Sequence, residues 1–197
     1  MQSVIDILGI LGFVIAAYTF IKTQIIKSKI EIVAGPSFKI YYTSDGGAGI
    51  YIPIAYVNDS DRAGKILNTL LHLTLPQNTG RFSMRWADFV SHDAKVKGYN
   101  HLDHSRAFSV PEQTVTDKFI WFVWRSYNAK SLDFIVGEYI LEIEVETSTT
   151  KKGNKVFKHA FKLTADDILF LDTEKALKTN GTRTITFENY KKENIFE

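Results

Sequence analysis

The chain contains no cysteine, four prolines and two methionines among 197 residues. Disulfide scaffolds and thiolate metal sites are therefore excluded. Charge of either sign is also lacking in surplus. There are 24 basic and 22 acidic side chains, net +2, with the lysines scattered, so nothing draws the chain to a nucleic-acid polymer. No Gly-x-Ser-x-Gly elbow, Walker loop or Rossmann glycine set occurs, and no cofactor or catalytic activity is expected. Gly46-Gly47-Ala48-Gly49 is glycine-rich, but it lies between two strand-like runs with no helix behind it. It reads as a hairpin loop rather than a phosphate cradle.

What is present begins at the N-terminus. From Ile7 to Ile21 no residue is charged, and Lys22, Lys27 and Lys29 follow. Extended from Val4 to Ile26, the run reaches the roughly 20 residues that a bilayer-spanning helix needs. A secretory signal would want a basic start and a small-x-small cleavage site, and an interfacial helix a charged face. The expected anchor thus occupies 1–28, with a soluble domain over 29–190 and a polar tail over 191–197. Because the lysines follow the helix, the positive-inside rule places the domain in the cytoplasm of a single-pass inner-membrane protein. Gly9, Gly12 and Ala16 form a small-residue stripe on which such helices can pack into an oligomer.

Beyond the lysines the periodicity falls to two. Alternating runs at Lys29–Val33, Phe38–Tyr42, Ile50–Val57, Gly64–Leu75, Arg81–Trp86, Lys118–Trp124, Gly137–Glu146 and Val156–Leu163 read as short strands separated by turn residues. Pro53 marks its strand as an edge or a bulge. Ser91 to Thr114 reads as a long polar loop. Thr164 caps a helix whose first turn carries Asp166 and Asp167 and which ends at Asn180-Gly181, before a last short strand over 182–187. The fold class expected is mainly β: an antiparallel immunoglobulin-like sandwich, or a barrel, with one C-terminal helix. Asn58-Asp59-Ser60 and Asn180-Gly181-Thr182 match the glycosylation sequon, a pattern short enough to arise by chance.

The pattern Ile52-Pro53-Ile54, Val57-Asn58, Arg62-Ala63-Gly64-Lys65-Ile66, Leu71-His72-Leu73 and Gly137-Glu138-Tyr139-Ile140-Leu141 resembles uncharacterised bacterial single-pass membrane proteins with an N-terminal helix and a sandwich domain. Some similar architectures serve as membrane effectors or accessories in phage defence. The resemblance implies a fold and brings no catalytic residues with it.

Two constellations carry what chemistry there is. His92, His101 and His104 share the polar loop with Asp93 and Asp103, and His101-x-x-His104 can present two imidazoles to one metal. A solvated loop explains them as well, and no metal is expected. Trp121 and Trp124, with Arg125 beyond them, can stack a ligand ring, or can simply be core plus one face. The function expected is a membrane-anchored, non-enzymatic recognition or assembly module that binds a protein partner, through an edge strand such as that of Pro53, or packs with its own copies. The alternative is an effector gated by a small molecule, a nucleotide signal for example, whose helices cluster in the bilayer.

Overall fold

The computed structural model describes residues 2–21, 28–93, 98–125, 131–148 and 155–188. The N-terminal helix α1 covers Gln2–Phe20. Among the described residues eleven strands and a second α-helix follow: β1 (Ile30–Ala34), β2 (Ser37–Tyr42), β3 (Ala48–Asn58), β4 (Gly64–Thr74), β5 (Arg81–Asp93), β6 (Gly98–His104), β7 (Phe108–Val110), β8 (Thr114–Trp124), β9 (Gly137–Thr147), β10 (Lys155–Leu163), α2 (Ala165–Leu177) and β11 (Arg183–Thr186).

The strands join one antiparallel sheet in the order β10-β9-β4-β5-β8-β3-β2-β11, with β1 added to β3, β6 to β5 and β7 to β4. This is not the separate two-sheet pairing of an immunoglobulin domain. The sheet curls until its ends meet. The Glu188 N–H, just past β11, donates to the Ala160 carbonyl of β10 at 3.0 Å. Phe38 of β2 packs edge-on against Phe161 of β10, ring centres 4.9 Å apart. The fold is therefore nearly a barrel, and its interior is the core. Ile50, Ile52, Ile54 and Tyr56 of β3 face inward with Ile120 and Phe122 of β8 and Leu141, Ile143 and Val145 of β9, all buried. Alternation at period two is what lets each strand supply one inward row.

Pro53 does not mark an edge. β3 is internal, paired with β8 along its whole length and, on its other side, with β1 and β2 in turn. The lost proline N–H falls opposite Gly35-Pro36, where the chain breaks between β1 and β2. There the Gly35 N–H donates to the Pro53 carbonyl at 2.9 Å. A side chain at Gly35 would strike the proline ring, 2.6 Å from a Cβ.

The polar stretch before Thr114 is not one long loop. It forms β6 and β7, which pair with β5 and β4. Asn58 is fully buried. Its Nδ2 donates to the carbonyls of Arg62, Val110 and Pro111 at 2.7, 3.2 and 2.8 Å. That sequon asparagine is thus a structural clamp with no access for a glycan.

α1 from Gly9 onward, and Ile21 after it, is exposed apart from the half-buried Ala17. The Thr19 hydroxyl is turned back onto the Ile15 carbonyl at 2.8 Å, so this polar group is satisfied within the helix. At 19 residues and 1.5 Å per residue, α1 is about 28 Å long, short of a hydrocarbon core of about 30 Å. Among the described residues no helix is long and apolar enough to cross a membrane. The spanning run expected from the sequence, Val4 to Ile26, drew on Lys22–Ile26, which lie outside the described residues. The single-pass topology and its cytoplasmic orientation are consequently not features of this structure.

Candidate binding face on the outside of the barrel

Along β3 and β8 the side chains between the buried ones point outward. On a solvated sheet these would be polar. Here Tyr51 lies between Ile50 and Ile52, and Trp121 between Ile120 and Phe122; the two are register partners. Tyr41 of β2 and Tyr99 of β6 complete the group. The Tyr51 ring stacks on Tyr41 with centres 5.2 Å apart and on Tyr99 at 4.0 Å, with Trp121 at 6.2 Å. Gly49 makes this possible, because a Cβ there would lie 2.2 Å from the Tyr41 ring. The rings line a cleft of about 600 Å³ that is completed by Thr43, Ser44, Asp45, Arg125 and the turn 179–182 after α2.

The charges of the cleft sit at its rim. The Arg125 guanidinium lies over Trp121, 5.8 Å from the ring centre, and 3.8 Å from the Asp45 carboxylate. A hydrogen bond from the Thr43 hydroxyl holds the Asp45 carboxyl below its usual pKa. Lys39 Nζ stands 5.2 Å from the Tyr99 ring centre. Burial drives the Tyr41 phenol far above its ordinary pKa, raises that of Tyr51 and pushes that of Tyr99 up to about 12. All three phenols therefore remain neutral O–H groups at physiological pH. The Tyr41 and Tyr51 hydroxyls are 3.2 Å apart. The Trp121 indole N–H is buried without a hydrogen bond of ordinary geometry, though it lies near enough to Tyr41 to offset part of that residue's pKa rise.

The structure separates the two tryptophans expected to act together. Trp121 and Arg125 share the cleft, whereas Trp124 turns inward and meets Phe82 edge-on at 5.2 Å. Tyr41, Tyr51, Tyr99 and Asp45 were not singled out from the sequence. The available signal was an aromatic residue at the outward position of two core strands.

The histidines divide in a similar way. His92 lies on β5, outside the residues whose side chains are described. His101 and His104 of β6 converge on Asp88 of β5 rather than on Asp103, and the Asp93 side chain, like that of His92, is outside those described. His104 Nδ1 is 2.9 Å and His101 Nδ1 3.5 Å from the same Asp88 Oδ1. The Asp88 charge contributes to the raised pKa of Tyr51, so this cluster adjoins the aromatic face. Gly9, Gly12 and Ala16 are exposed on α1, and a Cβ at either glycine meets nothing within 4 Å.

No family model matches the chain, and no curated protein matches it. Among solved structures it is similar to YcdA of Bacillus subtilis, a candidate lipoprotein, at 15% identity and a TM-score of 0.41, over 75% of this chain and 41% of that one. The chain thus spans about two fifths of the Bacillus protein's length. It is also similar to an uncharacterised β-sandwich protein of Clostridium difficile at 15% identity and a TM-score of 0.34, over 68% of this chain and 87% of that one. Likenesses of this size say nothing of what the protein binds, and neither bears on phage defence.

Proposed function

We propose that this protein is a membrane-associated binding module, without catalysis of its own, that captures a small molecule carrying a planar ring and an anionic group. One observation carries the reading: aromatic side chains from four strands occupy outward positions and line a cleft of about 600 Å³ with Arg125 at its rim. That volume lies within the range of small-molecule pockets, about 300–1,000 Å³. Rings that offer a flat face accept a base or aromatic group, and the guanidinium accepts a carboxylate or phosphate. Docking of a protein on the strand of Pro53 loses its support, since that strand is internal.

The test is calorimetric titration of the full-length protein, in detergent, with AMP and with adenosine. AMP is expected to bind saturably. Trp121→Ala should weaken it at least about tenfold, since one stacked base is worth about 1–3 kcal/mol. Arg125→Ala should erase the preference for AMP over adenosine. Absence of saturable binding, or binding unchanged in Trp121→Ala, would sink the proposal.

The membrane part of the reading rests on α1. Ile10, Leu11, Phe13, Val14, Ile15, Tyr18 and Phe20 are all more than half exposed and surround the helix. A helix apolar on every side is not stable in water. Full-length protein is expected to float with phosphatidylcholine–phosphatidylglycerol vesicles. Leu11→Lys with Val14→Lys should release it, at about 2.5–3.5 kcal/mol per charge near the helix centre. Equal flotation of the double variant would show that α1 is not the anchor.

A further inference from the structure

We propose that Asp88, His101 and His104 bind a divalent transition ion of the zinc class on the outer surface of β5 and β6. In a regular strand His101 and His104, three residues apart, would point to opposite faces. The register shows why they do not. Asp88 pairs with His104 and Phe89 with Asp103, but Val90 pairs with His101, so Leu102 is the extra residue of a β-bulge. That single insertion turns both imidazoles to the side of Asp88. Bulges of this kind re-aim side chains at sites.

Measured from Asp88, the donor set has the spacing of a metal site. Ligand bonds of about 2.0–2.1 Å at tetrahedral angles put neighbouring donors about 3.3 Å apart. The separations from Asp88 Oδ1 are 2.9 Å to His104 Nδ1 and 3.5 Å to His101 Nδ1. All three donor atoms lie within 4.8 Å of one another. Two imidazoles on one carboxylate oxygen exceed what a hydrogen-bonded pair requires. The His104 side chain is 86% exposed yet is drawn onto Asp88, whose own side chain is only 18% exposed. The Asp103 carboxylate accepts from the His104 backbone N–H at 2.9 Å and pairs with Arg106, which steadies the end of β6. Two imidazoles and one carboxylate suit zinc, nickel or copper rather than calcium or magnesium, and three protein ligands leave a position open to water or an external ligand.

The experiment is calorimetric titration of chelator-stripped, full-length protein in detergent with ZnCl₂, and with CaCl₂ in parallel. One Zn²⁺ per chain is expected in the micromolar range, with no Ca²⁺ response. Asp88→Asn, His101→Ala and His104→Ala should each weaken Zn²⁺ at least about tenfold, since even outer partners of a ligand cost 10–100-fold. CoCl₂ should give the visible bands of a four-coordinate ion, absent from His101→Ala. His104 is exposed, so its variant keeps the parent's circular dichroism and separates loss of the site from loss of the fold. Zn²⁺ binding as tight in the histidine variants as in the parent would move the ion elsewhere. No stoichiometric binding would leave a hydrogen-bonded cluster only. Either result overturns the proposal.

Discussion

Phe161→Ala is expected to lower the unfolding free energy by about 3–5 kcal/mol, the usual cost of deleting a fully buried phenylalanine. Phe161 is wholly buried. Its ring stacks on Tyr139 of β9 with centres 5.1 Å apart and meets Phe38 of β2 edge-on at 4.9 Å. It therefore joins β10, the first strand in the sheet order, to β2, the last but one. The cavity left by alanine would lie at the seam where the sheet closes. At about 2–4 °C per kcal/mol for a chain of this size, the melting temperature should fall by about 6–20 °C. Phe161→Leu, which keeps most of the volume, should cost under about 1.5 kcal/mol. Chemical denaturation followed by near-ultraviolet circular dichroism measures both. A loss below about 1 kcal/mol for the alanine variant would mean that the seam is not a packed part of the core.

Asp167→Ala should cost about 2–3 kcal/mol, because one carboxylate satisfies several groups at the start of α2. Asp167 Oδ2 accepts from the Thr164 backbone N–H at 2.9 Å and from the Thr164 hydroxyl at 2.6 Å. Oδ1 accepts from Arg183 Nε of β11 at 2.6 Å. The helix cap is thereby tied to the last strand. Burial alone would raise the Asp167 pKa, but the Thr164 hydrogen bonds and the Arg183 charge outweigh it, and the folded value lies below the ordinary one. The unfolded chain therefore holds this proton more tightly than the folded one. Its contribution to stability is complete above the unfolded value of about 3.9 and is lost as pH falls through the lower folded value. Asp167→Asn should flatten the acid limb of the stability–pH curve. The limb will not vanish, since Asp133 and Glu142 are lowered in the same direction by Lys175 and Lys158. An acid limb equally steep in the asparagine variant would show that Asp167 is not held by these partners.

Much of the β-structure was legible because its strands alternate. β3 and β9 bury every second residue along most of their length, β8 does so only through Ile120 and Phe122, and these inward rows of isoleucine, phenylalanine, tyrosine and leucine can be read directly at period two. The Thr164 cap was equally plain, since a hydroxyl residue followed three positions later by an acid is a local signal. β6 was not legible. Gly98-Tyr99-Asn100-His101-Leu102-Asp103-His104 has no apolar face of its own and becomes a strand only because the edge of β5 offers it hydrogen bonds. Pro53 misled for the same kind of reason. A missing N–H is tolerated in an internal strand when the neighbouring strand breaks opposite it, and that break is far away in sequence.

The candidate sites divide along the same line. Residue order alone is enough for an apolar N-terminal helix, a cysteine-free β-domain, a capped C-terminal helix, and the histidines and tryptophans available for chemistry. These follow from periodicity and local capping, which act over a few residues. Long-range packing settles the rest: the sheet curls nearly to closure, Trp121 belongs with Tyr41, Tyr51 and Tyr99 rather than with Trp124, and Asp88 is the partner of His101 and His104. Each of those outcomes depends on cross-strand register. One bulged residue is enough to move a side chain from one face of a sheet to the other, and no local pattern records where that residue falls.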